Sequence, residues 1–241
     1  MTARRTSGPL GPLGRLGTIA ACAAVAASAC DLPRDADGTL DRVRGGTLRV
    51  GVVPNPPWVT DSLGALGGVE VRLVEELARG LGARVAWVRR PQDVMLEALR
   101  ARELDLLVGG LTDDATWKME VAHTKPFYTD TIAVGATPGV PVRDLTARAV
   151  AVERGDAASA ELRKRGARPL VVDDLARAPG AIVAPTWRIA RLGRVNSGIV
   201  FKESRHVMAA APGENAWLMH VERFLRARAP RVGPTLRGAT P

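Results

Sequence analysis

The order of short apolar runs between residues 47 and 108 restricts the fold more than any other feature of the sequence. Residues 47–54 alternate in hydrophobicity, as a strand does, and residues 69–81 repeat apolar side chains at helical spacing. A second strand is predicted at 84–88, a helix from the cap Asp93 to about 102, and a third strand at 104–108. Strands that alternate with helices predict a mainly parallel sheet with helices on its faces, which is an α/β fold.

Two loops follow the carboxyl ends of these strands, where open parallel sheets bind their ligands. The loop Asn55-Pro56-Pro57-Trp58 supplies an aromatic ring beyond the first strand. The segment 109–114, which reads GGLTDD, supplies exposed backbone and short polar side chains beyond the third strand. We expect the two loops to form one wall of a binding cleft.

The first thirty residues have the organisation of an export signal. A pair of arginines precedes an apolar stretch at 16–29, which at about fourteen residues is too short to span a bilayer. The stretch ends in Ala-Ser-Ala followed by Cys30, which resembles a bacterial lipobox. We therefore expect a signal peptide at 1–29, a lipidated Cys30 and a polar tether at 30–46. A plain secretory signal cleaved at the same point and a buried apolar helix are the alternatives.

The charge pattern argues against a nucleic-acid partner. The formal net charge is +9, but the basic residues are nearly all arginine and are scattered among acidic residues. The sequence has no dense basic run with interleaved aromatics and no helix-turn-helix or zinc-finger spacing. We interpret the positive charge as solvated surface.

The sequence also lacks the motifs of the common enzyme classes. It contains no Gly-x-Ser-x-Gly elbow, no phosphate-binding loop and no Cys-x-x-Cys pair. His123, His206 and His220 do not have the spacing of metal ligands. We therefore expect no catalytic residues, no cofactor and no metal, and a chain that is not an enzyme.

Four segments resemble the type II extracellular solute-binding proteins, most closely the amino-acid importer family 3. They read TLRVGVVPNPPW, GVEVRLVEELARGLG, LRARELDLLVGGLT and VAHTKPFYTDTIAV, in that order. The resemblance implies a two-lobed fold in which each lobe is a mainly parallel sheet flanked by helices, with two crossover hinge strands. We expect the first lobe at 47–135 and a small second lobe at 136–204. The return crossover with a helix on the first lobe is expected at 205–229, and a flexible Pro-, Gly- and Arg-rich tail at 230–241.

The resemblance also implies where a ligand binds. An aromatic residue at the position of Trp58 stacks on the ligand, and a threonine at the position of Thr112 hydrogen-bonds it. Closing the edge of the core and capping a helix are the alternative roles of these two residues. The arginine that clamps the ligand carboxylate in this family is replaced by Trp117, a small hydroxyl residue by Asp156 and the amine-binding aspartate by Pro185. The expected binding residues are Asn55, Trp58, Gly110, Thr112, Asp114, Trp117 and Asp156.

These replacements predict that simple α-amino acids bind poorly, because a carboxylate left unpaired in a closing cleft costs a few kcal/mol. An aromatic or cationic ligand suits the two tryptophans and the acidic residues better. The leading hypothesis is a monomeric, exported solute-binding protein, lipid-anchored to the outer face of the cytoplasmic membrane, that serves the permease of an ABC-type importer. The alternatives are an orphan sensor or accessory domain that binds a membrane or protein partner, and a binding lobe associated with a cell-wall enzyme.

Overall fold

Two five-stranded sheets, one in each lobe, organise the computed structural model, which describes residues 35–113, 117, 121–156 and 158–238. The first lobe contains α1 (Thr39–Val43), β1 (Thr47–Val52), β2 (Thr60–Ser62), β3 (Ala65–Gly67), α2 (Val69–Gly80), β4 (Arg84–Arg89), α3 (Gln92–Arg100), β5 (Leu106–Val108) and β6 (Ala122–His123). The second lobe contains β7 (Tyr128–Ala136), β8 (Ala149–Glu153), α4 (Ala158–Lys164), β9 (Arg168–Val172), a short 3₁₀ helix (Leu175–Arg177), β10 (Ala181–Pro185), α5 (Thr186–Arg191) and β11 (Val195–His206). The chain returns to the first lobe through β12 (Ala209–Ala210) and α6 (Asn215–Gly238).

Each sheet is parallel on one side and antiparallel on the other. The strand orders are β4-β1-β5-β12-β6 and β11-β7-β10-β8-β9. β1 runs parallel to β4 and β5, and β8 runs parallel to β9 and β10. The antiparallel partners are β12, β6, β7 and β11, because these strands carry the chain out of the first lobe and back. The two-lobed α/β fold with two crossover strands, predicted from the sequence, is confirmed.

The helices of the first lobe place their apolar faces on the sheet. α2 buries Val69, Leu73, Val74 and Leu77 at the three- and four-residue spacing of one helix face. α3 begins after Pro91, and no side chain caps it. The prediction that Asp93 caps this helix is therefore wrong by two residues.

The predicted tether at 30–46 is wrong for its described part, residues 35–46. α1 buries Leu40 and Val43 in the core of the first lobe. The Asp35 carboxylate accepts hydrogen bonds from the backbone N–H groups of Leu40 and Trp217, both at 2.8 Å. The Glu214 carboxylate accepts from the N–H of Thr39 at 3.1 Å. Two apolar side chains three residues apart, with acidic residues to bind the free N–H groups, are sufficient to fold this short segment onto the lobe.

The predicted flexible tail at 230–241 is wrong for residues 230–238, which continue α6. The helix runs through two prolines to Gly238. Its buried residues follow one apolar stripe whose spacing bridges the prolines: Trp217, Val221, Leu225, Val232 and Leu236. Burial of this stripe offsets the hydrogen bonds that the prolines remove. In the part of the chain that the structure describes, no helix is both long and apolar enough to cross a membrane.

Candidate ligand-binding cleft

A cavity of about 440 Å³ lies between the lobes, beyond the carboxyl ends of β1 and β10. This is the place where open parallel sheets bind ligands, and the volume is in the usual range for a small-molecule pocket. The first lobe contributes the loop that follows β1, and the second contributes the 3₁₀ helix and α5. The residues that line the cavity are Pro56, Pro57, Asp174, Ala176, Pro185, Trp187, Arg188, Arg191 and Leu192.

The two predicted loops of the first lobe lie against each other, but of their described residues Pro56 and Pro57 of the first loop line this cavity and residues 109–113 of the second do not. The side-chain amide of Asn55 donates a hydrogen bond to the carbonyl of Gly109 at 2.9 Å. Gly110 has a φ of +67°, and a Cβ built there would lie 2.5 Å from Cδ1 of Trp58. Glycine is therefore required at position 110 by backbone conformation and by the indole packed against it.

A buried carboxylate holds this junction and was missed by the sequence prediction. Oε2 of Glu70 accepts the N–H groups of Gly109 at 2.7 Å and Gly110 at 2.9 Å. Burial raises the pKa of Glu70 to about 7, because desolvation outweighs these two hydrogen bonds. The sequence pattern does indicate that Glu70 is buried. It lies three, four and seven residues before Leu73, Val74 and Leu77, and therefore on the apolar face of α2.

Trp58 closes the edge of the first lobe's core and presents no free face to the cleft. Its side chain is 5% exposed. The indole lies 3.9 Å from the ring of His206 between centroids, and Phe127 and Tyr128 pack around it at 6.3 and 5.7 Å. This conformation supports the alternative role that the sequence suggested for Trp58, which is to close the edge of the core.

Trp117 is also in the core of the first lobe. It is 6% exposed, packs among buried aliphatic residues and meets His123 edge to face at 6.1 Å between centroids. The prediction that Trp117 lines the cleft is therefore wrong for this conformation. Its position in the sequence, between Thr116 and Lys118, gave no sign of the cluster that α3 and Val207 provide.

The remaining predicted residues lie at separate places. Thr112 forms an isolated bridge with His206, so that the segment after β5 runs beside the return crossover. Asp156 is exposed, and its carboxylate accepts the N–H of Ala158 at 2.8 Å at the start of α4. Asp156 therefore acts as a helix cap here. Asp114 and Cys30 lie outside the described residues.

Trp187 connects the cleft to the hinge and was also missed by the sequence prediction. Its indole N–H donates to Oδ2 of Asp130, in the outgoing crossover β7, at 2.9 Å. Burial raises the pKa of Asp130, and hydrogen bonds from Thr131 and Trp187 oppose that rise. Trp187 is 9% exposed and packs with the first lobe's core although α5 belongs to the second. Ligands bind beyond the carboxyl ends of parallel strands. This rule, which predicted the loops after β1 and β5, also predicts the residues after β10, and Trp187 is among them.

Two arginines of α5 line the cleft and differ in their ion pairing. Arg188 makes a bidentate ion pair with Glu153, with N–O distances of 2.6 and 2.5 Å. Arg191 is exposed, and its guanidinium has no hydrogen bond or ion pair with any described residue. Among the residues described, no group of three or more His, Cys, Asp or Glu side chains could hold a metal ion.

Curated relatives share sequence with about a third of this chain. The probable histidine-binding protein of Campylobacter jejuni is 30% identical over 83 residues, which cover 34% of this chain and 32% of that protein. The histidine-binding periplasmic protein of Escherichia coli is 26% identical over a segment of the same length, again 32% of its chain. The aligned segments therefore span about a third of these curated relatives.

Solved structures share the fold over most of the chain. An ancestral cationic amino acid solute-binding protein has a TM-score of 0.67 at 21% identity, covering 83% of this chain and 98% of that one. The unliganded, open L-cystine solute receptor of Neisseria gonorrhoeae has a TM-score of 0.68 at 15% identity, with coverages of 83% and 96%. The family model of the bacterial extracellular solute-binding proteins, family 3, matches residues 48–228. With three quarters of its length matched by that model, the chain belongs to the family 3 bacterial extracellular solute-binding proteins.

Proposed function

We propose that the protein captures a small solute between its two lobes outside the cytoplasm and delivers it to an ABC-type importer. The observation that carries the proposal is the cleft of about 440 Å³ where both lobes end their parallel strands. Two long antiparallel crossovers, β7 and β11, join the lobes beside it. The names of the matched relatives, which are histidine-binding proteins, are consistent with a small-molecule ligand.

A simple α-amino acid is not the solute that we propose. The cleft has Pro185 at the end of β10, where the family resemblance implies an amine-binding carboxylate, and proline has no side-chain acceptor. Asp156, in place of a small hydroxyl, caps α4 and does not line the cleft, so this position offers no hydroxyl to a ligand carboxylate. Trp117 is in the core and cannot replace a guanidinium fork.

Filling the cleft tests whether it is the binding site. Ala176 is exposed on the cleft wall, so Ala176→Trp is expected to fold normally and to abolish solute binding by occupying the space. The matched control is Ala160→Trp, an exposed alanine on α4 that does not line the cleft. A thermal-shift screen of the purified protein against amino acids, organic acids, amines and sugars should find a class that raises the melting temperature by mass action.

The expected pattern is stabilisation of the native protein and of Ala160→Trp but not of Ala176→Trp. Stabilisation that persists in Ala176→Trp would place the solute elsewhere. If no solute class stabilises the native protein, the capture function is wrong.

We also propose that Cys30 anchors the protein to the membrane through a lipid. The support is the apolar stretch that ends in Ala-Ser-Ala-Cys, in a segment outside the described residues. Cys30→Ser should be released into the soluble fraction after export, while the native protein stays with the membrane, as fractionation and immunoblotting would measure. Membrane association of Cys30→Ser equal to that of the native protein would exclude the lipid anchor.

A further inference from the structure

Two of the described residues that line the cleft are arginines, and they differ in whether an acidic residue pairs with them. Arg188 and Arg191 both line the cleft from α5, three residues apart. Nη1 and Nη2 of Arg188 donate to Oε2 and Oε1 of Glu153. This bidentate ion pair cancels the charge of Arg188 locally. Arg191 has no such partner among the described residues. An incoming anion therefore meets Arg191.

Asp174, the acidic residue among the described residues of the cleft wall, already has a hydrogen-bond donor and a neighbouring cation. Oδ1 of Asp174 accepts the N–H of Ala176 at 2.8 Å, and Oδ2 lies 3.6 Å from Nε of Arg177. A carboxylate that caps a helix and has a neighbouring guanidinium attracts a ligand ammonium less than an unpaired carboxylate does. The cleft is therefore poorly equipped for an amine.

The other described residues of the cleft wall are apolar. Pro56 and Pro57 form the wall of the first lobe, and Pro185 and Leu192 lie opposite on the second. Trp187 adds a ring whose only hydrogen-bond donor is already bound to Asp130. The proline rings and the indole are rigid, and together with Leu192 they pack against a flat apolar group and offer it no polar partner.

We propose that the cleft binds a small monocarboxylic acid with a flat apolar or aromatic group and no charged amine, its carboxylate paired with Arg191. The inference rests on the proposed function, since it names the class of solute captured between the lobes. The apolar group lies between the prolines of the first lobe and the wall formed by α5. Closure of the lobes removes water from the ion pair and strengthens it relative to an exposed one.

Calorimetry with matched probes tests the proposal. Phenylacetate, benzoate and hexanoate are the acids, phenylacetamide is the neutral isostere of the first, and phenethylamine is the cation. We expect at least one acid to bind, and its neutral amide or alcohol analogue to bind at least tenfold more weakly. Arg191→Gln should weaken binding of that acid tenfold or more, leave the neutral analogue unchanged, and abolish most of the salt dependence.

Arg163→Gln is the matched control, because Arg163 is exposed on α4 of the same lobe and does not line the cleft. It should bind the acid as the native protein does. The exposure of both arginines means that both variants should keep the native melting temperature without ligand.

Three results would overturn the proposal. These are failure of all three acids to bind, tighter binding of phenethylamine than of the acids, and an acid affinity that Arg191→Gln does not change. If another solute class binds in the thermal-shift screen while the acids do not, the capture function holds and only the ligand class is wrong. If no class binds, the capture function itself fails.

Discussion

Trp58→Ala is expected to lower the free energy of unfolding by about 3–5 kcal/mol, the usual cost of removing a large aromatic side chain from a core. The side chain is 5% exposed and stacked on His206, with Phe127 and Tyr128 around it. The cavity left by the indole would lie where the first lobe meets both crossovers. Gly110, which packs against the same ring, cannot fill the space because it has no side chain.

Urea unfolding followed by circular dichroism measures this effect. Trp87 offers the control, since it is only partly buried on β4 against the same core. Trp87→Ala should cost about half as much, in proportion to the apolar area removed from contact. A loss below 1 kcal/mol for Trp58→Ala, with solute affinity reduced instead, would favour the stacking role predicted from the sequence.

Glu70→Gln is expected to remove a pH dependence of stability. The pKa of Glu70 rises from 4.5 to about 7 in the folded chain because of burial, so the folded state holds this proton when the unfolded state has lost it. The stability that the protonated form provides is complete below pH 4.5 and is lost as the pH rises towards 7. For a pKa shift of this size, the free energy of unfolding is lower by about 3 kcal/mol above pH 7 than at low pH. Glutamine stays neutral and can still accept both backbone N–H groups through its oxygen.

The variant should therefore match the native protein at pH 4.5 and exceed its stability by about 2–3 kcal/mol at pH 8, as urea midpoints would measure. Glu75 lies on the exposed face of the same helix, so Glu75→Gln should change stability by no more than about 0.5 kcal/mol at either pH. Native and Glu70→Gln proteins with the same pH dependence would show that the carboxyl group of Glu70 does not titrate in this range.

The periodicity of the sequence was sufficient to predict the elements of the first lobe. β1, α2 and β4 begin at the residues predicted for them and end within two residues of their predicted ends, because alternating and helical apolar patterns are local properties. The same patterns placed Asn55 and Gly110 beyond the ends of two neighbouring parallel strands. Their contact through Gly109 follows from that strand order.

The roles of the large and ionisable side chains were decided only by the tertiary structure. Whether Trp58 stacks on a ligand or on His206 depends on where the return crossover β11 passes, almost 150 residues later in the chain. Trp187 packs with one lobe while its backbone belongs to the other, and Glu153 of β8 pairs with the guanidinium of Arg188 but not with that of Arg191. Local hydrophobic patterns determine which segments form strands and helices. The environment of a single ring or charge, by contrast, depends on contacts between residues far apart in the sequence, which those patterns do not encode.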